Sequence, residues 1–204
     1  MNLANKLTFI RIILAPVFLV IYLLPRFFPS LFVNGTLWTV PVLWVIFIVS
    51  EITDYFDGLA ARKLNLTSDF GKLLDPFADT LTQITLFLCF IIDGIFSASI
   101  LPVLLFLLVV YREFAILFLR NMMLKKGLAM GAQMSGKVKT VAYITTASIA
   151  LLTASLERLK IFEFILPYVK IGALIAFTIS VIISIVSFFD YLIIYKKTAD
   201  IKAQ

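Results

Sequence analysis

Histidine is absent from this 204-residue chain, and cysteine occurs once, at Cys89. The first absence excludes Ser-His-Asp hydrolases, Cys-His proteases, His-ligated zinc and haem held by histidine. The second excludes an internal disulfide and a Cys-x2-Cys redox pair. Charge is scarce as well: Asp, Glu, Lys and Arg make up 15% of the residues, where soluble domains carry about a quarter. Apolar residues fill the difference. They account for 62% of the chain, Phe alone contributes 20, and mean hydropathy is +1.06. This is the composition of an all-α integral membrane protein. Any catalysis has to rest on carboxylates, Lys, Arg, hydroxyls or a bound metal.

A helix needs about 20 apolar residues to cross about 30 Å of hydrocarbon. Runs of that kind predict six transmembrane helices, at 7–24, 38–55, 74–93, 98–120, 138–156 and 164–194. Lys6 and Arg11 ahead of the first run give it the look of a signal sequence. No small-x-small cleavage site follows, only Pro25-Arg26-Phe27-Phe28-Pro29, so it is read as a span. The last run exceeds one crossing, which predicts tilt or an extension into the cytoplasm. No repeat, low-complexity segment or linker divides residues 1–204, so a single transmembrane domain is expected.

Fourteen of the 18 basic residues fall in the N-terminal stretch to Arg11, the C-terminus, the connection after the second run, and the region from the end of the fourth run to the start of the fifth. The positive-inside rule then puts both termini in the cytoplasm of a multi-pass protein of the inner (cytoplasmic) membrane. The net charge of +6 suits anionic headgroups on that face. It does not suit nucleic acid, because the basic residues are tied to membrane edges. Trp38, Trp44 and Tyr191 read as interface markers, Gly127 and Gly131 as a bend, and Asp93 and Asp190 as solvated.

Acidic residues concentrate instead. Six of the 12, Glu51, Asp54, Asp57, Asp69, Asp75 and Asp79, lie within residues 51–79. Asp54 and Asp57 are three apart and Asp75 and Asp79 four apart, so each pair shares a helix face. A short connection makes the two helices antiparallel neighbours, and the four carboxylates converge at the cytoplasmic interface. Charges there default to function rather than solvation. Left bare they repel one another, and divalent cations are the simplest remedy. Oxygen donors without His or Cys favour Mg²⁺, with Mn²⁺ or Ca²⁺ as alternatives. Two ions about 3.5–4 Å apart would suit such a set and could clamp a diphosphate for in-line displacement. Gly58 and Gly71 allow close backbone approach by a ligand, and Arg62 offers the same anion a guanidinium.

The string Asp54-x2-Asp57-Gly58-x2-Ala61-Arg62-x8-Gly71-x3-Asp75-x3-Asp79 resembles the CDP-alcohol phosphotransferase signature at every fixed position and spacing. The wider chain is similar to the bacterial phosphatidylglycerophosphate synthases of that family. Asn5, Thr8 and Arg11 in the opening segment, Arg112-Glu113, Arg120 and Gly136-Lys137-Val-Lys139-Thr140 carry that likeness. Thr80 departs from it, since such synthases more often read Lys after the last Asp. The resemblance implies a six-helix fold, commonly a homodimer, that displaces CMP from CDP-diacylglycerol with glycerol 3-phosphate. It implies Asp54, Asp57, Asp75 and Asp79 as ligands to two Mg²⁺ ions, with Asp79 also the catalytic base. It implies Asn5, Thr8, Gly58, Ala61, Arg62, Ser68 and Gly71 around the CDP-lipid. Asp79 as a ligand alone is the rival role.

The second basic set is weighed apart. Lys125 and Lys126 read as membrane anchors. Arg112 sits within an apolar run, where an unpaired charge costs at least about 2.5 kcal/mol. A structural pairing with Glu113 would relieve that cost. The sharper reading joins Arg112, Arg120, Lys137 and Lys139 into a cationic pocket for an acceptor phosphate, which serine or glycerol would not require. Another acceptor (inositol phosphate, serine or a second lipid) is the alternative within the family, and a divalent-cation transporter the alternative outside it. A transporter has no use for Gly58-x2-Ala61-Arg62.

Overall fold

The computed structural model describes residues 3–29, 38–63, 69–125 and 133–201, the side chains of 3–4, 55–63, 69–70, 72–73, 124–125 and 197–201 excepted. Six α-helices follow one another: α1 Leu3–Phe27, α2 Thr39–Lys63, α3 Asp69–Ile92, α4 Leu101–Lys125, α5 Met134–Leu159 and α6 Leu166–Ile201. Each of the six expected runs falls on one of them, to within three residues at its ends. Most helices run a turn or two beyond their apolar stretch, because hydropathy marks the part suited to lipid while good helix formers continue past it. α2 is the clearest case. Leu59-Ala-Ala-Arg-Lys63 prolongs it, so Asp57, Gly58, Ala61 and Arg62 stand on helix rather than in a connection.

Among the described residues, five helices, α1 and α3 to α6, are long and apolar enough to cross a membrane. The sixth expected span falls on α2, whose side chains are described only as far as Asp54. Large apolar side chains stand exposed around the bundle, among them Ile13, Val45, Phe118, Val141 and Ile182. A soluble monomer rarely tolerates so continuous an apolar shell, whereas lipid accepts it.

α1 packs on both α2 and α3, α5 packs along α6, and α4 rests on α6 and α3. The odd-numbered helices run one way and the even-numbered ones return. Aromatic rings fill the centre and the end remote from the aspartates. Phe96 stacks on Phe177 with centroids 4.4 Å apart, and Phe87 meets Tyr143 edge-on at 5.2 Å. Rings at such spacings add attraction beyond the area they bury.

At that remote end α3 closes on Gly94, whose φ of 65° lets Gly94 N–H reach Ile91 O and Ile95 N–H reach Phe90 O, a Schellman cap. Ser97 and Ser99 then bond to each other, and α4 starts only at Leu101. Asp93 is not a solvated carboxylate there. Arg158 of α5 donates to it at 3.1 Å and to the Tyr22 carbonyl of α1 at 2.9 Å, while Arg26 approaches Asp93 at 3.7 Å. Trp44 likewise does more than mark an interface, since its indole N–H donates to Ser155 Oγ and ties α2 to α5.

Candidate active site

The opposite end of the bundle gathers the polar side chains. α1 and α3 run parallel there, one turn of the first facing one turn of the second. Thr8 Oγ1 donates to Asp75 Oδ1 at 2.5 Å, and one turn further on Arg11 Nη1 donates to Asp79 Oδ1. The same Arg11 nitrogen donates to Asp54 Oδ1 of α2. Carboxylates from two helices thus meet at one cationic atom. Arg11 itself is only 3% exposed, while Asp54 and Asp79 keep about four-tenths of their side chains open to a cleft that Ser50, Glu51 and Thr82 also line. Asn5 and Gly71 are buried at the same end.

Arg11 is the residue that sequence reasoning left out of the site. As a lone cation near the start of an apolar run, it carries the signature of a membrane-edge anchor. Only the tertiary contacts, 43 and 68 residues away in the chain, show its other role.

Beyond Asp79 the cleft gives way to a cavity of about 160 Å³. Its walls come from α3, α4, α5 and α6 and include Arg112, Arg120, Lys137 and Lys139 together. Glu113 and Asp79 are the carboxylates on the same walls, so four cations against two anions leave a formal surplus of two positive charges. Asp79 lines both the cleft and the cavity.

The four cations are held differently. Arg112 donates to Glu113 at 2.7 Å, to the Ser184 carbonyl and to Ser187 Oγ. Lys139 donates to Glu113 at 3.1 Å and to Gln83 Oε1 at 3.3 Å. Arg112, Glu113 and Lys139 are all buried, which makes them a satisfied ion triad as well as a wall. Lys137 is exposed and has no ion-pair partner among the described residues. Arg120 donates to the hydroxyl of Tyr191 at 2.9 Å. Tyr191 is therefore not an interface marker: it is 2% exposed and forms part of the cavity wall.

Asp57, Ala61 and Arg62 lie on α2 with side chains outside the described residues, Gly58 lies beside them, and Ser68, Lys126, Gly127 and Gly131 lie outside the described residues altogether. Among the described residues, no group of three or more His, Cys, Asp or Glu side chains is placed to hold a metal.

The profile of the CDP-alcohol phosphatidyltransferase family matches residues 1–189. Over 198 residues the chain is 34% identical to a CDP-diacylglycerol–glycerol-3-phosphate 3-phosphatidyltransferase of Treponema pallidum (strain Nichols), covering 94% of this chain and 88% of that one. It is 37% identical over 155 residues to the Bacillus subtilis (strain 168) protein of the same name, covering 74% and 77%. A probable phosphatidylglycerophosphate synthase of Mycobacterium tuberculosis (strain ATCC 25618 / H37Rv) is 30% identical over 196 residues, covering 93% and 79%. With nearly its whole length matched, and with Asp54 and Asp79 of the signature sharing Arg11 beside a cationic cavity, this chain belongs to the CDP-alcohol phosphatidyltransferase family.

Proposed function

We propose that this protein transfers the phosphatidyl group of CDP-diacylglycerol to glycerol 3-phosphate, giving phosphatidylglycerophosphate and CMP. The observation that carries this reading is the position of Asp79, on the boundary between an acidic cleft and a cavity with two surplus positive charges. A phosphorylated acceptor is a dianion, and the surplus matches it. An acceptor phosphate held by Lys137 and Arg120, with Arg112 and Lys139 behind, would bring its free hydroxyl towards Asp79. The relatives of Treponema pallidum and Bacillus subtilis carry this activity in their names.

Asp54, Asp57, Asp75 and Asp79 would hold Mg²⁺, two ions in the reading adopted here, with Mn²⁺ as a substitute. The donor set fits in kind: it is all oxygen, and Asp54 and Asp79 already turn oxygens towards one cationic atom, the Arg11 nitrogen. When bound, the metal neutralises the diphosphate and stabilises the departing CMP. The chain's own part is to position and to move a proton. Asp79 takes the proton of the acceptor hydroxyl as that oxygen attacks the phosphorus next to the lipid. Asn5, Thr8, Gly58, Ala61, Arg62, Ser68 and Gly71 surround the CDP-lipid in this reading, supported by Thr8 touching Asp75 and by Asn5 and Gly71 lying buried nearby.

In the membrane, α2 would complete six spans with both termini and the active site on the cytoplasmic side, supported by the distribution of basic residues. A homodimer is carried over from the family resemblance alone. The testing experiment is CMP release by purified protein from CDP-diacylglycerol with a panel of acceptors: glycerol 3-phosphate, inositol phosphate, serine and glycerol. Turnover is expected with glycerol 3-phosphate, and preference for an unphosphorylated acceptor would refute the reading of the cavity.

A further inference from the structure

Arg120 reaches the cavity through an aromatic neighbour. Its Nη2 donates to the Tyr191 hydroxyl at 2.9 Å, and its guanidinium carbon lies 5.4 Å from the centre of the Tyr191 ring. Both contacts fix the plane of the guanidinium, which otherwise swings on a long flexible stem. Arg120 Nε is buried and has no hydrogen-bond partner among the described residues. An N–H left in that state costs free energy unless a ligand satisfies it.

The tyrosine in turn depends on a small neighbour. A Cβ on Gly136 of α5 would stand 3.1 Å from Tyr191 Oη, closer than such atoms ordinarily sit, with the ring carbons farther off at 3.6 and 3.8 Å. Gly136 thus leaves room for the hydroxyl in particular. A phenol hydroxyl can accept and donate at once. With its lone pair taken by Arg120, its hydrogen remains for an anion in the same cavity.

We propose that Tyr191 is a positioning residue of the acceptor site: its hydroxyl and ring hold Arg120 in place to meet the acceptor's phosphate, and Gly136 provides the space that keeps the hydroxyl there. The proposal rests on the acceptor reading given above and deepens it.

Steady-state kinetics of Tyr191→Phe, Gly136→Ala, the two combined, and Lys137→Ala test it, with both substrates varied. Tyr191→Phe keeps the ring and loses one hydrogen bond to a charged group, so the KM for glycerol 3-phosphate should rise about tenfold. The kcat at saturating acceptor and the KM for CDP-diacylglycerol should stay within a factor of about two of wild type. Gly136→Ala should reproduce that rise when Tyr191 is present and add nothing when Phe replaces it. A general loss of folding would depress kcat and both KM values together, without this dependence of one substitution on the other. A wild-type acceptor KM in Tyr191→Phe, alongside a raised one in Lys137→Ala, would overturn the role of Tyr191 and leave the pocket standing. Effects of Gly136→Ala and Tyr191→Phe that multiply would overturn the part given to Gly136. An acceptor KM unmoved in every variant would overturn the pocket and this proposal together.

Discussion

Arg11 and Asp79 are separated by 68 residues, yet one guanidinium nitrogen of the first donates to a carboxylate oxygen of the second, and to Asp54 as well. Arg11 therefore screens two carboxylates that would otherwise face each other across the α2–α3 boundary, offsetting one of their two charges. Arg11→Gln should lower the unfolding temperature in detergent containing a chelator, because hydrogen bonds to charged groups contribute about 1.5–3 kcal/mol and like charges are left opposed. Added Mg²⁺ should restore more of that loss in the variant than it adds to wild type. Thermal unfolding with and without Mg²⁺ checks it, and an unchanged midpoint in chelator would show that Arg11 is not the counter-ion.

Metal dependence is the next expectation. With neither His nor a second Cys in the chain, hard oxygen-loving ions are the only match for the aspartates. Chelation should stop turnover, and Mg²⁺ or Mn²⁺ should bring it back. Full activity in excess chelator, with elemental analysis finding no metal in the protein, would rule the ions out.

Asp79 serves as base in the proposed reaction, and Asp79→Asn separates that role from ligation. The amide still presents an oxygen but cannot take a proton near neutral pH. Turnover should fall by roughly 10²–10⁴, the usual share of general base catalysis, with CDP-diacylglycerol binding within a few-fold of wild type. Loss of lipid binding, recovered by raising Mg²⁺, would instead identify a ligand first.

Lys137 and Glu113 should part company when each is changed. Lys137 is exposed at the cavity mouth, so Lys137→Ala should raise the acceptor KM by roughly 10- to 150-fold, the worth of a charge-assisted hydrogen bond. Glu113 is buried between Arg112 and Lys139. Glu113→Gln strands two buried cations and should cost about 3–5 kcal/mol of stability. Kinetics on the first variant and unfolding of the second test the distinction. A stable Glu113→Gln protein with only a shifted KM would mean that the triad is not structural.

The helices and the approach of Asp54 to Asp79 were legible in the sequence because they rest on local patterns. Apolar runs of membrane length mark the helices, and the three- and four-residue aspartate spacings mark shared helix faces. The four cations of the cavity were legible through motif and unusual placement, and so was a pairing of Arg112 with Glu113, although the share of Lys139 in it was not. Arg112 and Lys139 are bound to Glu113, and no spacing rule joins residues 26 positions apart. Asp93 and Tyr191 were misread for a related reason. Near a helix end, a paired carboxylate and a solvated one look alike in sequence, as do an interfacial tyrosine and a buried one. Partners distant in the chain decide between them: Arg158 is 65 positions from Asp93, and Arg120 is 71 from Tyr191.

The two polar ends of α3 also set a depth. Asp79 and Asp93 are 14 residues apart, about 21 Å along a helix rising about 1.5 Å per residue. The hydrocarbon of a bilayer is about 30 Å thick. With the Asp93–Arg158 pair at one boundary, Asp79 falls about 9 Å short of the other, and tilt would place it deeper. A spin label at Phe77, exposed beside the aspartates, should then be relaxed more by oxygen than by a water-soluble nickel chelate, and the reverse would raise the site to the surface. At that depth the two substrates of the proposed reaction would arrive by different routes. The lipid would slide in sideways with its tails still in the bilayer and the water-soluble acceptor would descend through the cationic cavity, so water would meet the activated phosphorus along the path the acceptor takes.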